Sequence, residues 1–117
     1  INNKTKKDMK KVLNLVVTKK WFDMIVSGAK NEEYREIKAY WIKRLTTNCE
    51  FVHDVWAEMK CGKILYSPYT HVLFSAGYRK DRPSIEKEIE YITIGMPKKG
   101  LCPDKWLIQR FFIIKFK

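Results

Sequence analysis

Histidine, cysteine, glycine and proline are all scarce in this chain, with 2, 3, 5 and 4 residues among 117, and no long apolar run is present. Each shortage excludes something. Cys49, Cys61 and Cys102 are odd in number and widely spaced, with no CxxC pair, so neither a disulfide framework nor a zinc site is expected and the thiols read as reduced. Cys49 and His53 lie four apart but have no third or fourth ligand, His71 being the only other histidine. No metal is expected. The few glycines form no Walker-type or dinucleotide pattern, so ATP, NAD and other cofactors are not expected either. No stretch approaches the roughly 20 apolar residues of a membrane span. There is no charged-then-apolar leader, and the lysine-rich start lacks an amphipathic apolar face for membrane docking. The chain reads as a soluble, cytoplasmic protein without a membrane partner, and it has no internal repeat or interdomain linker.

Acidic residues are also in deficit, 13 against 24 Lys and Arg, for a net charge of +11. That balance points to anionic partners such as nucleic acid or nucleotides. Part of it lies in "INNKTKKDMKK", residues 1–11, which reads as a lysine-rich tail. Met9 also resembles a natural start, which would make the first eight residues an addition or an extension. The remainder still holds 19 basic against 12 acidic residues, so the excess belongs to the body as well. Residues 12–117 read as one domain, with 45% apolar and 14% aromatic residues to fill its core.

Along that domain, "VLNLVV" (Val12 to Val17) has the length and branching of a buried strand. "TKKWFDMIVSG" follows as a helix of about two to three turns, with Thr18 at its start and Gly28 at its close. In an extended "KNEEYRE", Asn31, Glu33 and Arg35 share one face and Glu32, Tyr34 and Glu36 the other. "AYWIKRL" returns to helical spacing, Trp41 and Leu45 inward, Tyr40 and Arg44 together on a neighbouring stripe. "EFVHDVWAEMKCG" fits a further helix with Phe51, Val52, Val55, Trp56 and Met59 inward and Gly62 as terminator, and "KILY" reads as a small strand. "THVLFSAGY", "IEKEIEYITIG" and "FFIIKF" complete a β-rich second half. The fold class expected is α+β, with about five to six mixed strands closed or nearly closed into a small barrel and two to three short helices beside it.

"SGAKNEEYRE" carries a G-x-K-x-x-E-x-R pattern through Gly28, Lys30, Glu33 and Arg35. With the preceding "LNLVVTKKWFDMI", the following "YWIKRL", then "VLFSAGY", "ITIG" and the closing "FFIIKF", the chain resembles the ASCH domain from about Val12 to Phe116. It looks most like the short single-domain ASCH proteins of bacteria and phages. That resemblance implies a PUA-like fold and a cleft at the G-x-K-x-x-E-x-R segment that binds RNA or nucleotide-like ligands.

The residues themselves suit such a ligand. Arg35 and Arg44 offer planar forks to phosphates or base edges, Lys30 and Lys38 offer point charges, and Tyr40 offers a stacking surface, whereas Trp41 and Tyr34 fit core packing. Glu33 has three roles open to it: an ion-pair partner for Arg35, an acceptor for a base amino group, or a catalytic carboxylate. A second basic cluster, "GYRKDRP", adds Tyr78 and Arg79 at a turn that is either a continuation of the anion surface or a solvated hairpin tip. An enzymatic alternative remains, a metal-independent hydrolase of RNA or of a modified nucleoside with Lys30 and Glu33 as its catalytic pair. One ASCH-like branch hydrolyses acylated cytidine with a lysine, a threonine and a glutamate. Here the threonine position holds Glu33, and Glu88 or Glu90 would have to supply the third group.

Overall fold

The computed structural model describes residues 9–117, so the first eight residues of the basic tail lie outside the described residues. Lys10 and Lys11 are tied to the body. Lys10 Nζ lies 2.7 Å from Glu86, and the Lys11 backbone N–H donates to Thr70 Oγ1 at 2.8 Å.

The strands are β1 (Val12–Val17), β2 (Glu32–Arg35), β3 (His71–Ala76), β4 (Ser84–Gly95) and β5 (Phe111–Phe116). The helices are α1 (Lys19–Ser27), α2 (Ala39–Leu45) and α3 (Val52–Cys61), with a single 3-10 turn at Asp104–Trp106. The five strands form one mixed sheet in the order β1-β3-β4-β5-β2, an α+β arrangement as expected. This order is open: β1 and β2 are its ends, and no ladder closes it into a barrel among the described residues. None of the described helices is long and apolar enough to cross a membrane.

The chain divides into two compact, interleaved units. One comprises the described residues up to Asn31 together with Pro68–Tyr91 and Lys115–Lys117; the other comprises Glu32–Ser67 and Ile92–Ile114.

In the first unit, β1 and β3 pair in parallel from Val12↔His71 to Val17↔Ala76, and β3 pairs with β4 antiparallel. Parallel neighbours require a crossover, and α1 stands at its start. Leu13, Leu15 and Val17 are buried while Asn14 is exposed, the period-2 pattern of a strand with one covered face. Phe22 and Ile25 turn the apolar stripe of α1 into the same core, with Val72, Phe74 and Phe116. Along β4 the exposed Glu86, Glu88 and Glu90 alternate with half-buried residues and pair with Lys10, Lys117 and Lys115. Glu88 and Glu90 are therefore members of a solvated ion-pair row.

The second unit centres on Tyr34, Cys102, Phe111 and Ile113, with Leu101, Trp106 and Leu107 packed against them. Here α3 departs from its sequence pattern. Of the five residues expected inward only Val55 is fully buried; Met59 is half-buried, and Phe51, Val52 and Trp56 are exposed. Helical periodicity defines an apolar stripe, but burial also needs a neighbour to cover it. The helix is secured at its start instead, where the Asp54 carboxylate accepts the N–H groups of Phe51 (2.8 Å) and Glu50 (3.1 Å). Those two bonds hold the Asp54 carboxyl below its ordinary range. "KILY" is not a strand. Only Tyr66 makes a bridge, to Thr46, because Asn48 already takes the neighbouring backbone by accepting the Leu65 N–H and donating to Lys63 O.

Gly28 ends α1 as its spacing requires. Its φ of +87° is left-handed, and its N–H donates to Ile25 O at 3.2 Å. A Cβ there would meet open space, so substitution carries a backbone cost alone. Gly28→Ala should lower stability by about 1 kcal/mol, read as a lower urea midpoint with an unchanged m-value.

Candidate nucleic-acid interface

The second unit gathers most of the residues that sequence placed in the site. β2 is only four residues long, and period-2 geometry pairs its side chains two by two. On one face Arg35 Nη1 donates to Glu33 Oε2 at 2.6 Å and to Tyr34 O at 2.7 Å. Both side chains are withdrawn from water, 14% exposed for Arg35 and 8% for Glu33. Glu33 thus has the Arg35 contact that the first of its three readings calls for. Breaking a pair so withdrawn from water is costly, and the contact acts as a strut.

From that strut a cation–aromatic stack extends over α2. The Arg35 guanidinium lies 5.3 Å from the Trp41 ring centre, the Trp41 ring meets Tyr40 edge-on at 4.9 Å and 86°, and the Arg44 guanidinium lies 4.4 Å from the Tyr40 ring centre. The sequence Arg35–Trp41–Tyr40–Arg44 alternates cation, ring, ring, cation. Its inner end is half-buried and its outer end open, with Tyr40 55% exposed and Arg44 on the surface. The i, i+4 spacing of Tyr40 and Arg44 on α2 produces the outer contact directly. Trp41 is half-buried, and Ile42 and Leu45 carry the helix into the core. Lys43 and Arg44 sit in the last turn of α2, and Lys38 stands just before the first, loosely paired with Glu36 at 3.6 Å.

The other face of β2 holds a network that sequence reasoning did not identify. Tyr34 Oη donates to Glu32 Oε1 at 2.7 Å and accepts the Lys98 backbone N–H at 3.1 Å, while Lys98 Nζ lies 3.5 Å from Glu32 Oε2. Tyr34 is fully buried and Glu32 5% exposed. The sequence signal was the tyrosine that follows two acids in "EEYR", but its partner Lys98 lies 64 residues away. This network fastens the 98–102 loop to β2.

Gly28 and Lys30 belong to the first unit, so the G-x-K-x-x-E-x-R segment runs across the boundary between the two. Lys30 is 1% exposed, with its ammonium 5.1 Å from the Trp21 ring centre, and Lys20 approaches the same ring at 4.5 Å. The indole thus draws in two cations. Tyr78 and Arg79 also lie in the first unit. Tyr78 is 84% exposed, and Arg79 pairs with Asp81 at 3.5 Å. Their turn borders the start of α1, enclosing a cavity of about 290 Å³ lined by Lys19, Asp23, Arg79, Arg82 and an apolar floor of Phe22 and Pro83. Among the described residues, no group of three or more His, Cys, Asp or Glu is placed to hold a metal ion. No family model matches this chain, and no curated protein or solved structure matches it.

Burial raises the Tyr34 phenol well above its ordinary 10.0, with the Glu32 carboxylate adding to the shift, and burial moves Tyr66 the same way. The native state therefore keeps these protons where the unfolded chain loses them. Their stabilisation is complete below the unfolded pKa and falls as pH rises beyond it, by up to about 1.4 kcal/mol per pH unit for each group. Urea melts between pH 8 and 11 should show that fall, and Tyr34→Phe should make it shallower; an unchanged slope in the variant would contradict the assignment.

Proposed function

We propose that the chain is an RNA- or nucleotide-binding module of the ASCH type, with the outer half of the Arg35–Trp41–Tyr40–Arg44 stack as its contact surface. The exposed Tyr40–Arg44 pair carries this reading. A ring and a guanidinium plane already in register give an unpaired base a surface to extend, and such stacking tolerates any base. Lys38, Lys43 and Arg44 supply charge for the phosphates on either side of that base. The net charge of +11 supports the same partner class.

The ASCH assignment itself rests on the Gly28, Lys30, Glu33 and Arg35 spacing and the order of the later strands. A PUA-like barrel goes with it. The mixed sheet and the helices after β1 support that kinship, and closure of the sheet is a further step beyond the open strand order. The proposed role is binding without turnover: the Glu33 carboxylate is engaged with Arg35, and the Lys30 ammonium is buried against Trp21.

Single-stranded RNA should be retarded in a native gel, weaken with added salt, and run at full length on a denaturing gel. Tyr40→Ala should weaken binding by about 1–3 kcal/mol at every salt concentration. Arg44→Ala should also reduce the slope of log K against log salt by about 0.7. Absence of retardation, or equal binding of heparin and RNA, would overturn the reading. Shortened products that vanish with Lys30→Ala would replace it with the hydrolase.

A further inference from the structure

The second unit contains a groove of about 250 Å³ lined by Glu36, Lys105, Trp106, Gln109 and Phe111. It combines two aromatic side chains with three polar ones of different chemistry, the kinds of group that small-ligand sites use. Trp106 ends the Asp104–Trp106 turn and stacks on Phe111 at 4.9 Å and 19°. Phe111 is 2% exposed and also lines the groove, so this contact fixes the plane of the half-buried indole there. Glu36 follows Arg35 directly at the end of β2, so the strand that anchors the stack also delivers a carboxylate here, one whose loose, exposed contact with Lys38 at 3.6 Å a ligand can displace.

A carboxylate beside an aromatic wall selects among bases by counting donors. Guanine alone presents two adjacent N–H donors on its Watson–Crick edge, at N1 and N2, and these match the two oxygens of one carboxylate. Adenine and cytosine present only an exocyclic amino group beside a ring acceptor, and uracil a single N–H flanked by carbonyls. The Gln109 amide can donate to guanine O6 or N7, and the Lys105 ammonium can meet a phosphate.

We propose that this groove is a guanine pocket, with Trp106 as the stacking wall, Glu36 as the reader of the Watson–Crick edge, and Gln109 and Lys105 as supporting contacts. The inference deepens the nucleic-acid reading above and rests on it for the class of ligand. The base can come from a free nucleotide or from an unpaired guanosine in RNA.

The test is a titration of the full chain with GMP, AMP, CMP and UMP, and then with a short single-stranded RNA holding one guanosine among uridines and the all-uridine control. Amide and indole NMR signals are the readout. GMP should bind about tenfold or more tightly than the other three and shift the Trp106 indole N–H and the Gln109 side-chain amide. Glu36→Gln should erase that preference with the remaining spectrum unchanged. Trp106→Phe should weaken all four nucleotides while keeping their order. Preference for the guanosine RNA without a GMP response would assign the pocket to RNA, and the converse to free nucleotide. Equal binding of the four nucleotides with no guanosine preference in RNA, or a preference that persists in Glu36→Gln, would overturn the inference. Retention of RNA by the Tyr40–Arg44 surface in that case would leave the broader reading standing. Guanine binding at Trp106 without any RNA retention would do the reverse.

Discussion

The ion pair between Glu33 and Arg35 organises the second unit. It forms because strand geometry puts residues two apart on one face, and it is withdrawn from water at a 2.6 Å contact. From it the positions of the other groups follow. Arg35 is held by Glu33 and by its neighbour's carbonyl, Trp41 lies under the guanidinium, Tyr40 meets Trp41 edge-on, and Arg44 covers Tyr40. Without the carboxylate the innermost cation would lose this 2.6 Å contact and the stack its firmest attachment to β2. The positive charge is therefore divided by exposure: Arg35 is paired with Glu33 and mostly withdrawn from water, while Arg44, Lys43 and Lys38 face solvent.

The same four-residue strand serves a second purpose through its other face. Glu32 and Tyr34 receive Lys98, through its backbone N–H on the tyrosine and its ammonium beside the acid. Buried polar groups at this density are tolerated only when each has its partner, and none of the buried side-chain polar atoms among the described residues is left without one. The polar groups of β2 are thus turned to one another and to the 98–102 loop, and in the proposed reading a ligand meets the groups on the elements around it.

Local pattern was enough to place β1, α1 with its Gly28 stop, α2, β3, β4 and β5, because each depends on periodicity and end signals within about ten residues. The Tyr40–Arg44 contact was legible for the same reason. Burial was not. Lys30 is a lysine by composition and a core residue by position, since its cover depends on Trp21 of α1. Phe51, Val52 and Trp56 make the opposite case, an apolar stripe that no described neighbour buries. Neither the Glu32 network nor Trp106 could be completed from local sequence, because their partners are brought together by the fold: Lys98 for the first, Phe111 and Glu36 for the second. Both departures share a cause, as a sequence encodes which faces are apolar but not what will come to lie against them.

The most direct test of this account is the affinity of Glu33→Gln for single-stranded RNA at low salt, with near-UV circular dichroism confirming a packed fold. The substitution raises the net charge by one, so charge attraction alone would tighten binding to a polyanion. If Glu33 acts as the anchor of the stack, binding weakens despite the added charge, and the loss is not additive with that of Tyr40→Ala. Tighter binding in a folded variant would contradict the account and leave the aromatic stack as a feature of packing.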